Sequence, residues 1–211
     1  MRSFQSPFSG KFLEGLQAGV LRYTYRGVPC LKNPIDTAIY TKLIWDLRPA
    51  TIIEIGSNAG GSALLLADIV SNFGLGCHIY SVDLRPPAGI SDSRITFLEG
   101  DVLRLEPVFD KIGLADLSHP WFAIEDSAHT HAACLAALRS FSKVMVADDM
   151  LVMEDGILEE LGLARQYEGG PNRAIASFFE EQPDVFEIVT ELCDMFGRNA
   201  TYNPNAYLRK L

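Results

Sequence analysis

Residues 51–68, TIIEIGSNAGGSALLLAD, constrain the fold more than any other stretch of this chain. A β-branched run ends in Glu54-Ile55-Gly56, a turn of small residues follows, and an apolar segment of helical spacing begins at Gly61. A strand-like run that passes through a glycine turn into a helical period reads as strand, tight loop and helix. Such a unit presents bare backbone N–H groups and a helix N-terminus to a ligand. A second strand-like run, His78-Ile-Tyr-Ser-Val-Asp83, ends in a carboxylate. In a β-α-β unit, an acid at the tip of the second strand is placed to grip the hydroxyls of a nucleoside ribose.

The rest of the chain repeats the alternation. The pattern DTAIYTKLIWDL predicts an amphipathic helix over 36–47, with Asp36 as its N-cap after Asn33-Pro34 and Arg48-Pro49 as its stop. Strands are expected at TIIEIG, HIYSVD, RITFLEGD, WFAIEDS and KVMVADD, with helices over 61–73 and 130–141 between them. Apolar runs buried on both faces and joined by helical crossovers imply an α/β doubly wound, mostly parallel sheet. A proline-started helix follows over 171–180, and two late strands closing the sheet as an antiparallel hairpin would bring the total to seven. No repeat or linker divides the chain. Residues 36–211 are expected to form one domain, with residues 1–35 as an N-terminal extension. Its aromatic residues Phe4, Phe8, Phe12, Tyr23 and Tyr25 suit an oligomer contact somewhat better than a substrate lid.

Bulk properties narrow the function. A formal charge of −9 disfavours nucleic acid and anionic membrane, which both need a basic face. There is no apolar run near the roughly 20 residues of a membrane span, and Met1-Arg-Ser-Phe-Gln-Ser-Pro-Phe8 lacks the apolar block of a signal peptide. Cys30, Cys77, Cys134 and Cys193 stand far apart, without a C-x-x-C pair. Reduced, mostly buried thiols in a cytoplasmic protein are expected, and not a zinc site.

In open α/β sheets, ligands bind beyond the carboxyl ends of the strands. Those ends carry Glu54-Ile55-Gly56, Asp83, Glu99-Gly100-Asp101, Glu125-Asp126 and Asp148-Asp149, all acidic. Asp is a common cap and turn residue, which accounts for any one of them more easily than for five in succession. The glycines do not follow G-x-G-x-x-G but run E-x-G-x-x-x-G-G, a form similar to that of S-adenosylmethionine (SAM) methyltransferases. On that reading Gly56, Ser57, Gly60, Gly61 and Ser62 surround the methionine part of SAM, Asp83 takes the ribose and Asp101 lies near the adenine. Glu54 orders the loop, and Asp126 lies where cofactor and metal sites meet.

The later acids call for a different ligand. Asp126, Asp148 and Asp149 come from two strand tips expected to be neighbours, and three hard oxygen ligands suit Mg²⁺ or Mn²⁺. The plain alternative is a helix cap and a solvated turn. His129, three residues past Asp126, would share the same mouth. With an ordinary pKa near 6.5 it could act as general base toward an acceptor hydroxyl acidified by the metal. A structural role or metal ligation are the competing roles for His129, whereas His131 would point elsewhere.

Taken in order, these residues resemble the cephalosporin hydroxylase family, which includes the sugar O-methyltransferases of macrolide antibiotics. The likeness rests on Lys32-Asn33-Pro34-x-Asp36, on Ile53-Glu-Ile-Gly-x-x-x-Gly-Gly-Ser-Ala63, and on Ala67-Asp68 and Ser81-Val-Asp83. It continues through Asp126-Ser-x-His129, Gly170-Pro171-x-x-Ala174 and Thr201-x-Asn203-Pro204. It implies the class I SAM methyltransferase fold and a SAM- and Mg²⁺-dependent O-methyltransferase of antibiotic or other natural-product biosynthesis. The acceptor would be a hydroxylated small molecule such as a sugar, and the enzyme a homo-oligomer. The resemblance matches Asp126 and the pair Asp148 and Asp149 to the metal ligands, and His129 to the base. Two departures stand out: the family's pair is usually Glu-Asp, and Ala206 replaces a usual glycine. A nicotinamide-dependent oxidoreductase and a catalytically silent SAM-binding subunit are the alternatives. The missing G-x-G-x-x-G weighs against the first, and the complete acid and histidine set against the second.

Overall fold

The computed structural model describes residues 2–211. In chain order the elements are α1 (Gly10–Val20), β1 (Thr24–Tyr25), β2 (Val28–Pro29), α2 (Pro34–Leu47), β3 (Thr51–Ile55), α3 (Gly61–Asn72), β4 (His78–Asp83) and β5 (Ile95–Glu99). There follow α4 (Glu106–Ile112), β6 (Trp121–Glu125), α5 (His131–Val144), β7 (Met150–Met153), α6 (Gly170–Glu181), β8 (Phe186–Ile188), α7 (Thr190–Cys193) and β9 (Tyr207–Lys210). β1 and β2 form a small hairpin, and the other seven strands make one sheet in the order β5-β4-β3-β6-β7-β9-β8. β9 pairs antiparallel with both neighbours, while the remaining pairs from β5 to β7 are parallel. This is the doubly wound sheet that the alternation predicts, with the seven strands and antiparallel closing strand that the resemblance implies.

Each central strand is buried on both faces, which is why its sequence is nearly all apolar. Ile53, Ile55 and Ala123 face a layer containing Leu138, Phe141, Ala174 and Phe178, from α5 and α6. Ile52, Phe122, Ile124 and Val152 face the opposite layer, where Ile39 and Ile44 of α2 meet Leu66 and Ala67 of α3. The N-terminal segment is held down by a third cluster, in which Leu13 and Val20 of α1 pack on Ile157 and Tyr202. All four cysteines are buried and unpaired. Among the described residues no helix is long and apolar enough to cross a membrane.

Two local expectations are corrected. The N-cap of α2 is Asn33, not Asp36: the Asn33 side chain accepts from the N–H groups of Ile35 and Asp36, and Pro34 fills the first helical position. Asp36 is buried instead, accepting from Tyr207 Oη at 2.9 Å, the Tyr202 N–H at 3.0 Å and Thr201 Oγ1. It thereby ties α2 to the segment before β9. The second correction moves a strand. Helix α5 runs on to Val144, so 143–149 is not a strand and β7 begins only at Met150.

Candidate active site

The strand order reverses between β3, whose chain continues to β4 on one side, and β6, which begins the other wing. A crevice opens where strands diverge in this way. Its floor is tight. Gly56 has φ of 107°, and a Cβ there would stand 2.0 Å from the backbone oxygen of Asp126, so no side chain fits. Gly61 opens α3 so close to the N-terminal segment that a Cβ would lie 2.2 Å from the Pro29 carbonyl oxygen. The result is a cavity of about 430 Å³ bounded by Gly56, Ser57, Asn58, Asp83, Asp126, His129 and Asp155, with Gln17 and Val20 of α1 and Lys32 closing it from above.

On the β3–β4 side, Asp83 holds the loop by accepting from the Asn58 N–H at 3.0 Å and the Arg85 N–H at 2.9 Å. Glu54 is fully buried beneath, accepting from Ser81 Oγ, which also contacts Ser57 Oγ at 2.7 Å. Burial raises the Glu54 pKa, against the opposing pull of Lys32. Glu54 thus underlies the loop and does not line the cavity. Asp101 accepts from the Leu103 N–H in its own turn, and its neighbours Gly100 and Val102 line the cavity.

On the β6–β7 side, Asp126, His129 and Asp155 each offer one ligand atom within 4.8 Å of the others. His129 Nε2 lies 3.8 Å from Asp126 Oδ1 and 3.4 Å from Asp155 Oδ2, and its buried Nδ1 has no partner among the described residues. His129 and Asp155 both have left-handed backbones, at φ 53° and 62°, a region that His and Asp enter more readily than most non-glycine residues. Burial disfavours the charged imidazole, but Asp155, Asp126 and Glu125 outweigh it and raise its pKa above the ordinary value. Burial pushes Asp155 up to about 6, partly countered by His129. Beside them Lys32, buried, donates to both Asp126 and Glu154, and Glu154 also accepts from Tyr40 Oη at 2.6 Å. Burial opposes the Lys32 charge, but Asp126 and Glu154 hold its pKa well above the usual lysine range.

Asp148 and Asp149 are not part of this cluster. They precede β7, at the opposite end of the sheet, because the helix before them is longer than expected. Asp149 is wholly buried and accepts from the N–H groups of Trp121 at 2.7 Å and Val146 at 2.9 Å, and contacts His119 Nδ1 at 2.9 Å. It is a strand-start anchor. From Asp149 to Glu154 is roughly 16 Å at strand rise. The acids at the true strand tip are Glu154 and Asp155, which restores the Glu-Asp order. The signal was in the sequence: the apolar run Met150-Leu-Val-Met153 immediately before Glu154-Asp155-Gly156. His131 turns away and contacts Ser177 Oγ of α6 at 3.2 Å.

A family model described as "Rhamnosyl O-methyltransferase/CmcI" matches residues 18–211. A rhamnosyl O-methyltransferase of Mycobacterium leprae is 32% identical over 192 residues, covering 88% of this chain and 82% of its own. One from Mycobacterium bovis is 29% identical over 193 residues, covering 88% and 77%. A structure of CmcI described with Mg and SAM superposes with a TM-score of 0.68 at 28% identity, over 90% of this chain and 77% of its own. The chain therefore belongs to the Rhamnosyl O-methyltransferase/CmcI family.

Proposed function

We propose that the protein is a SAM-dependent, divalent-metal-dependent O-methyltransferase acting on a hydroxyl of a small molecule. The observation that carries it is the convergence of Asp126, His129 and Asp155 at one wall of the same cavity that Gly56 and Asp83 bound on the other. Family membership and the Mg and SAM described for a CmcI structure support it.

The residues fit both groups. Hard carboxylate oxygens from Asp126 and Asp155, with Glu154 adjacent, are the donors a Mg²⁺ or Mn²⁺ ion takes. Gly56, Ser57, Gly60, Gly61 and Ser62 would bound the methionine part of SAM, and Asp83 would accept from its ribose hydroxyls. SAM supplies an electrophilic methyl group, and the metal, when bound, acidifies and orients an acceptor hydroxyl.

This chain's residues do the rest. Gly56 and Gly61 let the loop and the start of α3 pack directly on the backbone of Asp126 and Pro29, which sets the floor of the cavity. Lys32 offsets part of the negative charge of the acids and holds Asp126 and Glu154 in place. His129, with Nε2 facing the acids, takes the acceptor proton, and its raised pKa suits a base working near neutrality. The test is methyl transfer from labelled SAM to a panel of glycosides and phenols by chelator-treated protein. Activity should return with Mg²⁺ or Mn²⁺; turnover indifferent to chelation would refute the metal's role, and failure to bind SAM would refute the whole reading.

A further inference from the structure

The Asp126 carboxylate is divided between two neighbours. Its Oδ2 accepts from the Lys32 ammonium, while its Oδ1 faces His129 Nε2, on the side where Asp126, His129 and Asp155 converge. Glu154 gives its Oε1 to both Lys32 and Tyr40. Lys32 therefore grips the acid cluster from behind and touches neither of the carboxylate oxygens that face His129, Asp126 Oδ1 and Asp155 Oδ2. An ion held by the converging groups and the ammonium of Lys32 call on different oxygens of Asp126.

The charge of the cluster is only partly balanced. Asp126, Glu154 and Asp155 are three acids, and Lys32 is the one lysine or arginine paired with any of them among the described residues. Two other buried acids nearby are turned elsewhere, Glu54 to Ser81 and Glu125 to Ser127 and Cys134. Lys32 itself is buried and held at two points, so its charge is a fixed part of the site. Coulomb attraction and repulsion both scale with the charge of the incoming ion, so a fixed positive charge at this range repels a trivalent ion more than a divalent one.

We propose that Lys32 sets the charge selectivity of the metal site. By cancelling one of three carboxylates it leaves an excess of two negative charges, which a divalent ion balances and a trivalent ion overshoots. Lys32 coordinates nothing in this scheme; it acts through Asp126 and Glu154. The inference rests on the metal-dependent reading of the site, but its measure is a ratio of two binding affinities and needs no turnover.

The experiment titrates chelator-treated full chain with Tb³⁺, followed by its luminescence, and reads Mn²⁺ affinity from its displacement of Tb³⁺, above neutral pH. Lys32→Met removes the positive charge and should shift the preference toward Tb³⁺ by at least about tenfold. Glu154→Gln keeps the lysine and removes one acid, so the preference should move toward Mn²⁺ by a comparable factor. The double variant Lys32→Met/Glu154→Gln restores the wild-type charge, and its ratio should return to within about threefold of wild type. Glu154→Gln and the double variant read the same charge dependence if Lys32→Met alone does not fold. A merely structural role for Lys32 would weaken both ions together and leave the ratio unmoved. A ratio that stays constant in the folded variants, or a double variant that does not return toward wild type, overturns the inference alone. Wild type that binds neither ion strikes the metal-dependent reading itself, and the inference with it.

Discussion

The ammonium of Lys32 is hydrogen-bonded to the carboxylate of Asp126, ninety-odd residues further along the chain, inside a site where its own side chain is only 3% exposed. A second contact, to Glu154, makes it a bridge between the tips of β6 and β7. The lysine sits in the segment Lys32-Asn33-Pro34-x-Asp36, where Asn33 caps α2 and Asp36 anchors that helix to Thr201, Tyr202 and Tyr207. One short motif thus fixes the helix and delivers the cation.

Lys32→Met should be strongly destabilising, by about 3–5 kcal/mol, because it leaves two acids facing each other without their buried counter-charge. Millimolar Mg²⁺ should restore part of the loss, since a ligand that binds only the folded state stabilises it. Urea denaturation with and without the ion is the check. Unchanged stability in the variant would mean that the bridge does not form in solution.

The burial of Asp155 makes metal affinity pH-dependent. With its folded pKa at about 6, proton and metal compete for the same oxygens below that value. Affinity for Mn²⁺ should fall by about tenfold per pH unit as pH drops below 6, and level off above it as far as this group is concerned. A flat profile between pH 5 and 7 would remove Asp155 from the site.

For His129 the sign runs the other way, since the base works only when neutral. Transfer rate should rise with pH through a pKa that Asp155 and Asp126 lift above the ordinary histidine value, against burial, and that a bound cation would lower again. His129→Ala should cost roughly 10²–10⁴-fold in rate and abolish this acidic limb, while His131→Ala, which loses only its contact with Ser177, should change little. Loss of metal in the position-129 variant would make the residue a ligand instead.

Asp83→Ala tests the other wall. It should weaken SAM binding from an expected low-micromolar affinity, about 8 kcal/mol, by well over tenfold, because the carboxylate both faces the cavity and holds the Asn58 N–H. Equal affinity in the variant would place the ribose elsewhere.

Much of this was legible from the sequence, because a strand buried on both faces and a glycine turn leave local marks that do not depend on distant contacts. Gly56, Asp83, Asp126 and His129, singled out from the sequence, line one cavity in the structure. The misplaced acids show where local reading ends. Lys143-Val-Met-Val-Ala147 is as apolar as a strand, but Val144 completes α5 and the following turn is pinned by Asp149, whose partners Trp121 and His119 lie far back in the chain. Nothing near residue 149 signals those contacts. Lys32 was visible as part of a motif, yet its role depends on Glu154, and that pairing exists only once the sheet is assembled.

Titration of Mn²⁺ into chelator-treated protein, followed by electron paramagnetic resonance, tests the central claim most directly, in wild type, Asp155→Asn and Asp149→Asn. One site is expected in wild type, with its loss in Asp155→Asn and its retention in Asp149→Asn, where only fold stability should suffer. A site that survives Asp155→Asn, or one that disappears in a still-folded Asp149→Asn, would contradict it.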